Sequence, residues 1–275
     1  MNPAGDGGGG TGLLLHLAGP LQSWGENSPF SQRGTARFPT RSGVIGLLAC
    51  ALGRTRGADI GDLTALSLTV RTDRPGVPLR DLHTVGGGLP AARTVTTADG
   101  RKRSGATATL LSHRYYLADA VFTAVLTGES DTLRECARAL EDPVWPPYLG
   151  RRSCPPEGPL LLGLSEAPLH HLVHLPLARC RTPDDAGVRV DFHSDGPLGR
   201  LTPSGDSQDG DEPVGHVTDE PDTFHPRRRS YRPRTRYQRT LTLPAERCAG
   251  LGADYLTVLG AYLRRHITRP GSACV

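Results

Sequence analysis

His83, His113, Lys102 and the adjacent Tyr115 and Tyr116 are the side chains in this sequence best suited to acid–base chemistry. Such a set could cleave RNA through its own 2′-hydroxyl, one group removing a proton and another supplying one. Residues of these types in a basic segment bind RNA more often than they cut it. No carboxylate cluster suits a two-metal nuclease, and no Gly-x-x-x-x-Gly-Lys loop marks a nucleoside triphosphatase. The expectation is an RNA-binding protein with no catalytic residue and no cofactor, with metal-independent RNA cleavage as the alternative. His170, His171 and His174 would suit a metal if 170 and 174 shared a helix face. Pro168, Pro176 and the alternating leucines predict a short strand over 169–177 instead, so no metal is expected.

Anion binding is the better supported chemistry. The stretch Phe38–Gly53 reads as a helix, with Thr40 or Ser42 placed to cap its first turn and Gly53 to end it. Arg37 and Arg41 flank its start, where free N–H groups and the helix dipole already favour an anion. Arg151-Arg152-Ser153, after Leu149-Gly150, is a candidate phosphate clamp. Residues 73–114 form a long connection carrying Arg80, Arg93, Arg101, Lys102, Arg103 and Arg114. Its only acids are Asp73, Asp81 and Asp99. Loops of that length inside a domain are usually functional or disordered.

The elements that must position these groups follow from hydrophobic period. Residues 1–12 are a Gly-rich tail, and their Gly7-x-Gly9-x-x-Gly12 run precedes the first strand, so it is no dinucleotide fingerprint. Strands are predicted at Leu13–Ala18, Leu63–Thr72, Tyr115–Leu126 and Leu160–Leu164, with helices at 38–53 and Glu129–Glu141. That order, βαββαβ, predicts an α+β, ferredoxin-like (RRM-like) domain over 13–166. An open sheet face of that kind can stack RNA bases on aromatics, here Tyr115, Tyr116 and Phe122. A less regular C-terminal domain, 167–275, follows. Its acidic stretch 184–222 is expected to be largely disordered. The run Arg227–Arg239 is expected to be a solvated tail that answers those acids, and Ala253–His266 a final helix.

The totals narrow the class. With 275 residues and a formal charge of +4, the chain can bury a core and is only mildly basic. Lys102 is its only lysine, so nearly every cation is arginine, the better planar partner for phosphates and bases. Six scattered cysteines with no Cys-x-x-Cys pair argue against zinc or a disulfide frame. Neither a signal peptide nor a membrane span is evident, which predicts a cytoplasmic protein.

Five ordered blocks carry a family resemblance: Leu17-Ala18-Gly19-Pro20-Leu21-Gln22-Ser23-Trp24-Gly25, Arg37 to Leu48, Arg80-Asp81-Leu82-His83-Thr84-Val85, Arg114 to Ala120, and Tyr148 to Cys154. Together they resemble the CasD-type subunits of type I-E CRISPR Cascade complexes, within the RAMP superfamily, over about residues 13–165. The resemblance implies a β-hairpin thumb at about 73–114, between the second and third strands. It implies a non-catalytic antiviral subunit that grips the 5′ handle of the guide RNA and caps the backbone filament. The implied partners are that RNA, the filament subunit, the large subunit and other Cascade proteins, with target DNA nearby through the complex. It places His83, Thr84, Arg93, Arg101, Lys102, Arg103, His113 and Tyr115 near the junction of handle and spacer. Arg37, Thr40, Arg41 and Ser42 would hold handle phosphates at the helix mouth, with Gln22, Ser23 and Trp24 lining the same groove and Arg151, Arg152 and Ser153 as the clamp. The alternative activity becomes cleavage of CRISPR repeat RNA. The Gly-rich leader, the acidic stretch and the arginine-rich run depart from the family pattern.

Overall fold

Alternation of side chains lets β1 (Gly12–Ala18) serve two cores at once, since all seven of its residues are buried. Leu13, Leu15 and Leu17 face one core, and Leu14 and Ala18 face the other. The computed structural model describes residues 10–25, 31–97, 99–103, 108–181, 187–201 and 212–267. After β1 come β2 (Leu21–Gln22), β3 (Gln32–Arg33), α1 (Arg41–Ala51), α2 (Gly61–Thr64), β4 (Ser67–Arg74), β5 (Val77–Val85), β6 (Leu110–Ala118) and β7 (Val121–Thr127). Then follow α3 (Ser130–Glu141), β8 (Leu161–Ser165), α4 (Pro168–His174), β9 (Gly187–Ser194), β10 (Pro213–Thr223), β11 (Ser230–Pro244) and α5 (Gly252–His266).

The fold is mixed α+β with antiparallel sheets. A seven-stranded sheet runs in the order β10-β11-β9-β4-β7-β1-β8. A smaller sheet is built on β6, which pairs with β5 along one edge and with the short β2 and β3 along the other. Helices α1 and α3 cover one face of the large sheet, burying Val44, Ile45, Leu48, Leu133 and Ala137 against Leu13, Phe122 and Leu126. Helices α4 and α5 cover the other, with Leu172, Tyr255, Leu259 and Leu263 against Leu14, Val125 and Phe192. With both faces covered, the large sheet offers no open face for stacking bases among the described residues, and the aromatics Tyr116 and Phe122 are ordinary core residues. Phe122 is wholly buried and Tyr116 is 3% exposed.

Other expectations are corrected in instructive ways. The predicted strand 115–126 is two strands, because Asp119 adopts φ 59° and turns the chain between β6 and β7. The segment 169–177 is the helix α4, not a strand. Pro168 starts it, where a missing N–H is harmless. The wholly buried Arg71 finishes it, donating to the carbonyls of Leu172, Leu175 and Pro176 at 2.7–2.9 Å. Asp73 and Thr123 complete that polar nest, with Asp73 accepting from both Arg71 Nε and Thr123 Oγ1 at 2.5–2.6 Å. The stretch 184–222 contains the strands β9 and β10, although 184–186 and 202–211 lie outside the described residues, as does the predicted tail 1–9. The arginine-rich run is mostly strand β11. Residues 73–114, read as aperiodic, hold the paired strands β5 and β6, which form a hairpin.

Candidate nucleic-acid interface

The mouth of α1 is already filled. Asp219 accepts the backbone N–H of Arg41 at 2.8 Å, so the protein's own carboxylate takes the place foreseen for a phosphate. The Arg41 side chain is 4% exposed and pairs with Asp195 and Glu220 while donating to the Thr64 carbonyl at 2.6 Å. Arg234 of β11 bridges Asp195 at 2.7 Å and Asp219 at 2.6 Å. Two arginines and three carboxylates thus form one closed network, and burial pushes the Asp195 and Glu220 carboxyls above the ordinary range. Thr40 does not cap the helix through its side chain, and its buried hydroxyl has no partner among the described residues. Of the expected mouth residues, Arg37 is exposed and Ser42 is half-buried.

Gln22, Ser23 and Trp24 do not line a groove. Gln22 is wholly buried, donating to the carbonyls of Leu17 (2.9 Å) and Ala120 (2.8 Å) and accepting from the Trp24 indole (2.9 Å). Ser23 donates its hydroxyl to the Tyr115 carbonyl at 3.0 Å and its amide to the Leu149 carbonyl at 3.1 Å. Trp24 lies so close to α1 that a Cβ on Gly43 would sit 2.6 Å from its ring. Gly150 meets the same segment at φ 82°, where a Cβ would fall 1.8 Å from the Ser23 carbonyl oxygen. These residues fasten the base of the β5–β6 hairpin. Arg151 stays beside it, stacked 4.8 Å from the Tyr116 ring centre and donating to the Arg33 carbonyl at 2.9 Å, while Arg152 and Ser153 are exposed.

The hairpin itself is the open surface. Asp81 pairs with Arg114 in register, Leu82 with His113, and His83 with Ser112. Leu82 and Leu111 are more than half exposed, and Val77, Leu79 and Val85 are also exposed. Thr84, Arg93, Arg101 and Lys102 are exposed, and Tyr115, His113 and Arg103 are half-buried. Lys102 donates to the Thr94 carbonyl and the Thr96 hydroxyl at 3.1–3.2 Å, which stiffens the hairpin tip. Arg103 Nε, Ser112 Oγ, His113 Nδ1, Arg114 Nε and Arg151 Nη1 are all sheltered from water without a partner among the described residues. Polar atoms withdrawn from water normally have partners. Five such atoms lie on and beside this one hairpin.

Geometry separates the two histidines of the acid–base reading, although His113 and Tyr115, two residues apart on β6, share a side. In register, His83 faces with Ser112 whereas His113 faces with Leu82, so the two imidazoles project from opposite sides of the hairpin. They cannot flank one scissile phosphate. His83 is held by Asp81 at 2.5 Å, and Lys102 is tied down at the tip. The histidines of α4 do share a helix face, His170 and His174 stacking at 4.0 Å, yet no metal-holding group of three is present among the described residues.

Sequence reasoning missed Asp195, Asp219, Glu220 and Arg234 as a unit. The signal was there in β9, where Val188, Val190 and Phe192 alternate with polar residues inside a stretch judged by its acid content alone.

Residues 12–237 match the family model described as CRISPR-associated protein (Cas_Cas5). The chain belongs to that family. It is 40% identical over 170 residues to the CRISPR system Cascade subunit CasD of Escherichia coli (strain K12), a match spanning 56% of this chain and 71% of that protein. Among solved structures, a chain of a CRISPR RNA-guided surveillance complex superposes with a TM-score of 0.78 at 41% identity, covering 92% of this chain and 99% of that one. A second, a crystal structure of a Cas protein, gives a TM-score of 0.57 at 34% identity, covering 88% and 98%. No helix among the described residues is long and apolar enough to cross a membrane.

Proposed function

We propose that this member of the family is a non-catalytic guide-RNA-binding subunit of a Cascade-type surveillance complex. In this reading β1-α1-β4-β7-α3-β8 is a ferredoxin-like unit over about 13–166. Residues 167–275 are an addition that covers its second face and extends its sheet. The β5–β6 hairpin is the thumb. It grips the 5′ handle of the guide RNA where handle meets spacer, with its apolar side chains against displaced bases and Arg93, Arg101, Arg103 and Arg114 on phosphates. Arg37, Arg152 and Ser153 extend the grip beside its base. Arg41 and the Gln22-Ser23-Trp24 segment support that grip from within the protein and touch no RNA. The subunit caps the backbone filament and contacts the large subunit, and target DNA passes nearby.

The observation that carries this reading is one ordered hairpin on which exposed Arg93, Arg101 and Lys102 stand with exposed Leu82 and Leu111. RNA phosphates and bases would meet these side chains at little entropic expense, because the strands are already paired. The test is binding of handle RNA by the purified chain across a salt series. With about four phosphates neutralised, log affinity should fall against log salt with a slope near −3. Charge reversal at Arg93, Arg101 and Arg103 should flatten that slope. A slope unmoved by these changes, or metal-independent cleavage of repeat RNA lost in His113→Ala, would contradict the proposal.

A further inference from the structure

The tip of the β10–β11 hairpin belongs to the large sheet, whereas the thumb belongs to the small one, and it plays no part in the proposed grip. We propose that this tip, together with the loop after α1, forms a second nucleic-acid surface that holds the phosphate backbone of a duplex.

The tip is a built structure. Asp219 and Glu220 hold the start of α1, and just past the end of the same strand Phe224 packs against the first core beside Gly46. His225 then lies over the turn after the helix, where a Cβ on Gly57 would be 3.2 Å from its ring. Strand β10 therefore follows α1 from mouth to far end, about 16 Å for an eleven-residue helix. The turn is internally bonded: His225 N–H donates to Thr223 Oγ1 (3.1 Å), and Arg227 N–H donates to His225 Nδ1 (3.2 Å). That anchoring aims Arg227, Arg228 and Arg229 outward, all exposed, with Arg56 exposed on the neighbouring loop.

Charge along β11 divides sharply. Arg234 is spent inside on Asp195 and Asp219, and Arg236 lies 5.4 Å over the Phe38 ring. Arg232 makes only a loose, exposed contact with Asp222 at 3.7 Å. Arg227, Arg228, Arg229 and Arg56 have no ion pair among the described residues. Three such guanidiniums on this turn, with Arg56 on the neighbouring loop, form a phosphate-binding surface.

The shape selects a duplex. Proteins that hold single strands combine a basic groove with several aromatic platforms. Among the described residues this tip is a hairpin turn whose exposed aromatic rings are Tyr231 and His225 alone. A two-stranded ribbon with arginines at its turn fits against the phosphate backbone of either duplex, and into the major groove of B-form DNA.

The test uses the full chain, a short labelled duplex DNA, the same duplex as RNA, and single-stranded handle RNA at low salt. The variant Arg227→Glu/Arg228→Glu/Arg229→Glu is expected to lose at least about tenfold in duplex affinity. Its salt slope should shrink by about 2–3, at roughly 0.9 per lost phosphate contact. Single-stranded RNA affinity should stay within about twofold, because the thumb is untouched. The milder triple Gln variant should show the same pattern at smaller size, and decides the matter if the Glu variant misfolds. Loss on duplex DNA, duplex RNA or both supports the surface and names its source. Failure of the wild type to bind either duplex, a Gln variant that binds like wild type, or equal loss on single-stranded RNA would overturn it. A thumb that fails its own test leaves these outcomes unchanged.

Discussion

Two regions of this protein are rich in arginine and behave in opposite ways. At the mouth of α1, Arg41 and Arg234 face Asp195, Asp219 and Glu220, are largely buried, and join the C-terminal strands to the helix. On the β5–β6 hairpin, Arg93 and Arg101 are exposed, and Arg103 and Arg114 keep sheltered nitrogens without partners among the described residues. The residue type is the same, so arginine content does not separate a site from a scaffold. What separates them is where the carboxylates fall, and those arrive from residues 195–220, far along the chain.

Breaking the internal network should have the largest effect. Arg41→Ala removes the pairs to Asp195 and Glu220, leaving Glu220 without its arginine and Asp195 with Arg234 alone, and should destabilise the fold by about 3–5 kcal/mol in chemical denaturation. The RNA affinity of the molecules that remain folded should be unchanged. A variant that stays stable and loses RNA instead would invert the assignment of the two regions. Gly150→Ala comes next. Its Cβ cannot occupy a point 1.8 Å from the Ser23 carbonyl oxygen, so the hairpin base must shift, at a penalty on the order of 3 kcal/mol. RNA affinity should fall with stability there, because this contact fastens the thumb.

Acid should separate the regions through histidine. Burial lowers His16 and His193 from 6.5 to about 4. Below pH 6.5 the unfolded chain takes up protons that the folded chain refuses, so this stability is present above 6.5 and lost as pH falls towards 4. The wild type should therefore lose stability relative to His193→Gln across that window, by up to about 1.4 kcal/mol per pH unit. Thermal melts of both proteins at stepped pH measure it, and parallel curves would sink it. The smallest change in stability belongs to the hairpin. Arg93→Glu and Arg101→Glu should move stability by no more than about 0.5 kcal/mol, while each removes about 0.7 from the RNA salt slope.

Much of this was legible in sequence, unevenly. Strong periodicity placed β1, α1, α3, β8 and α5 to within a few residues, since each buries a clear stripe or alternating face. The hairpin's position was legible, but only the resemblance suggested its pairing. β5 exposes Val77, Leu79, Leu82 and Val85 on both faces, so it carries no inside–outside alternation. At the site, the thumb residues stand in the open, whereas Gln22, Ser23, Trp24, Thr40 and Arg41 are interior. Polar identity alone cannot distinguish a ligand-facing glutamine from one that latches two strands by accepting and donating across a turn. The second half was obscured by composition. Acids and arginines that look like solvated charge are strand residues whose partners lie 15 to 178 positions away.

The central claim is that the hairpin touches the guide strand and that the first turn of α1, Arg41 and Ser42, does not. Placing a photo-crosslinking amino acid at exposed Leu82, and separately at Ser42, in the purified RNA-loaded complex tests it directly. The account predicts that Leu82 crosslinks to the nucleotides at the junction of handle and spacer, while Ser42 yields little or no RNA adduct. Crosslinks from Ser42 with none from Leu82 would contradict it.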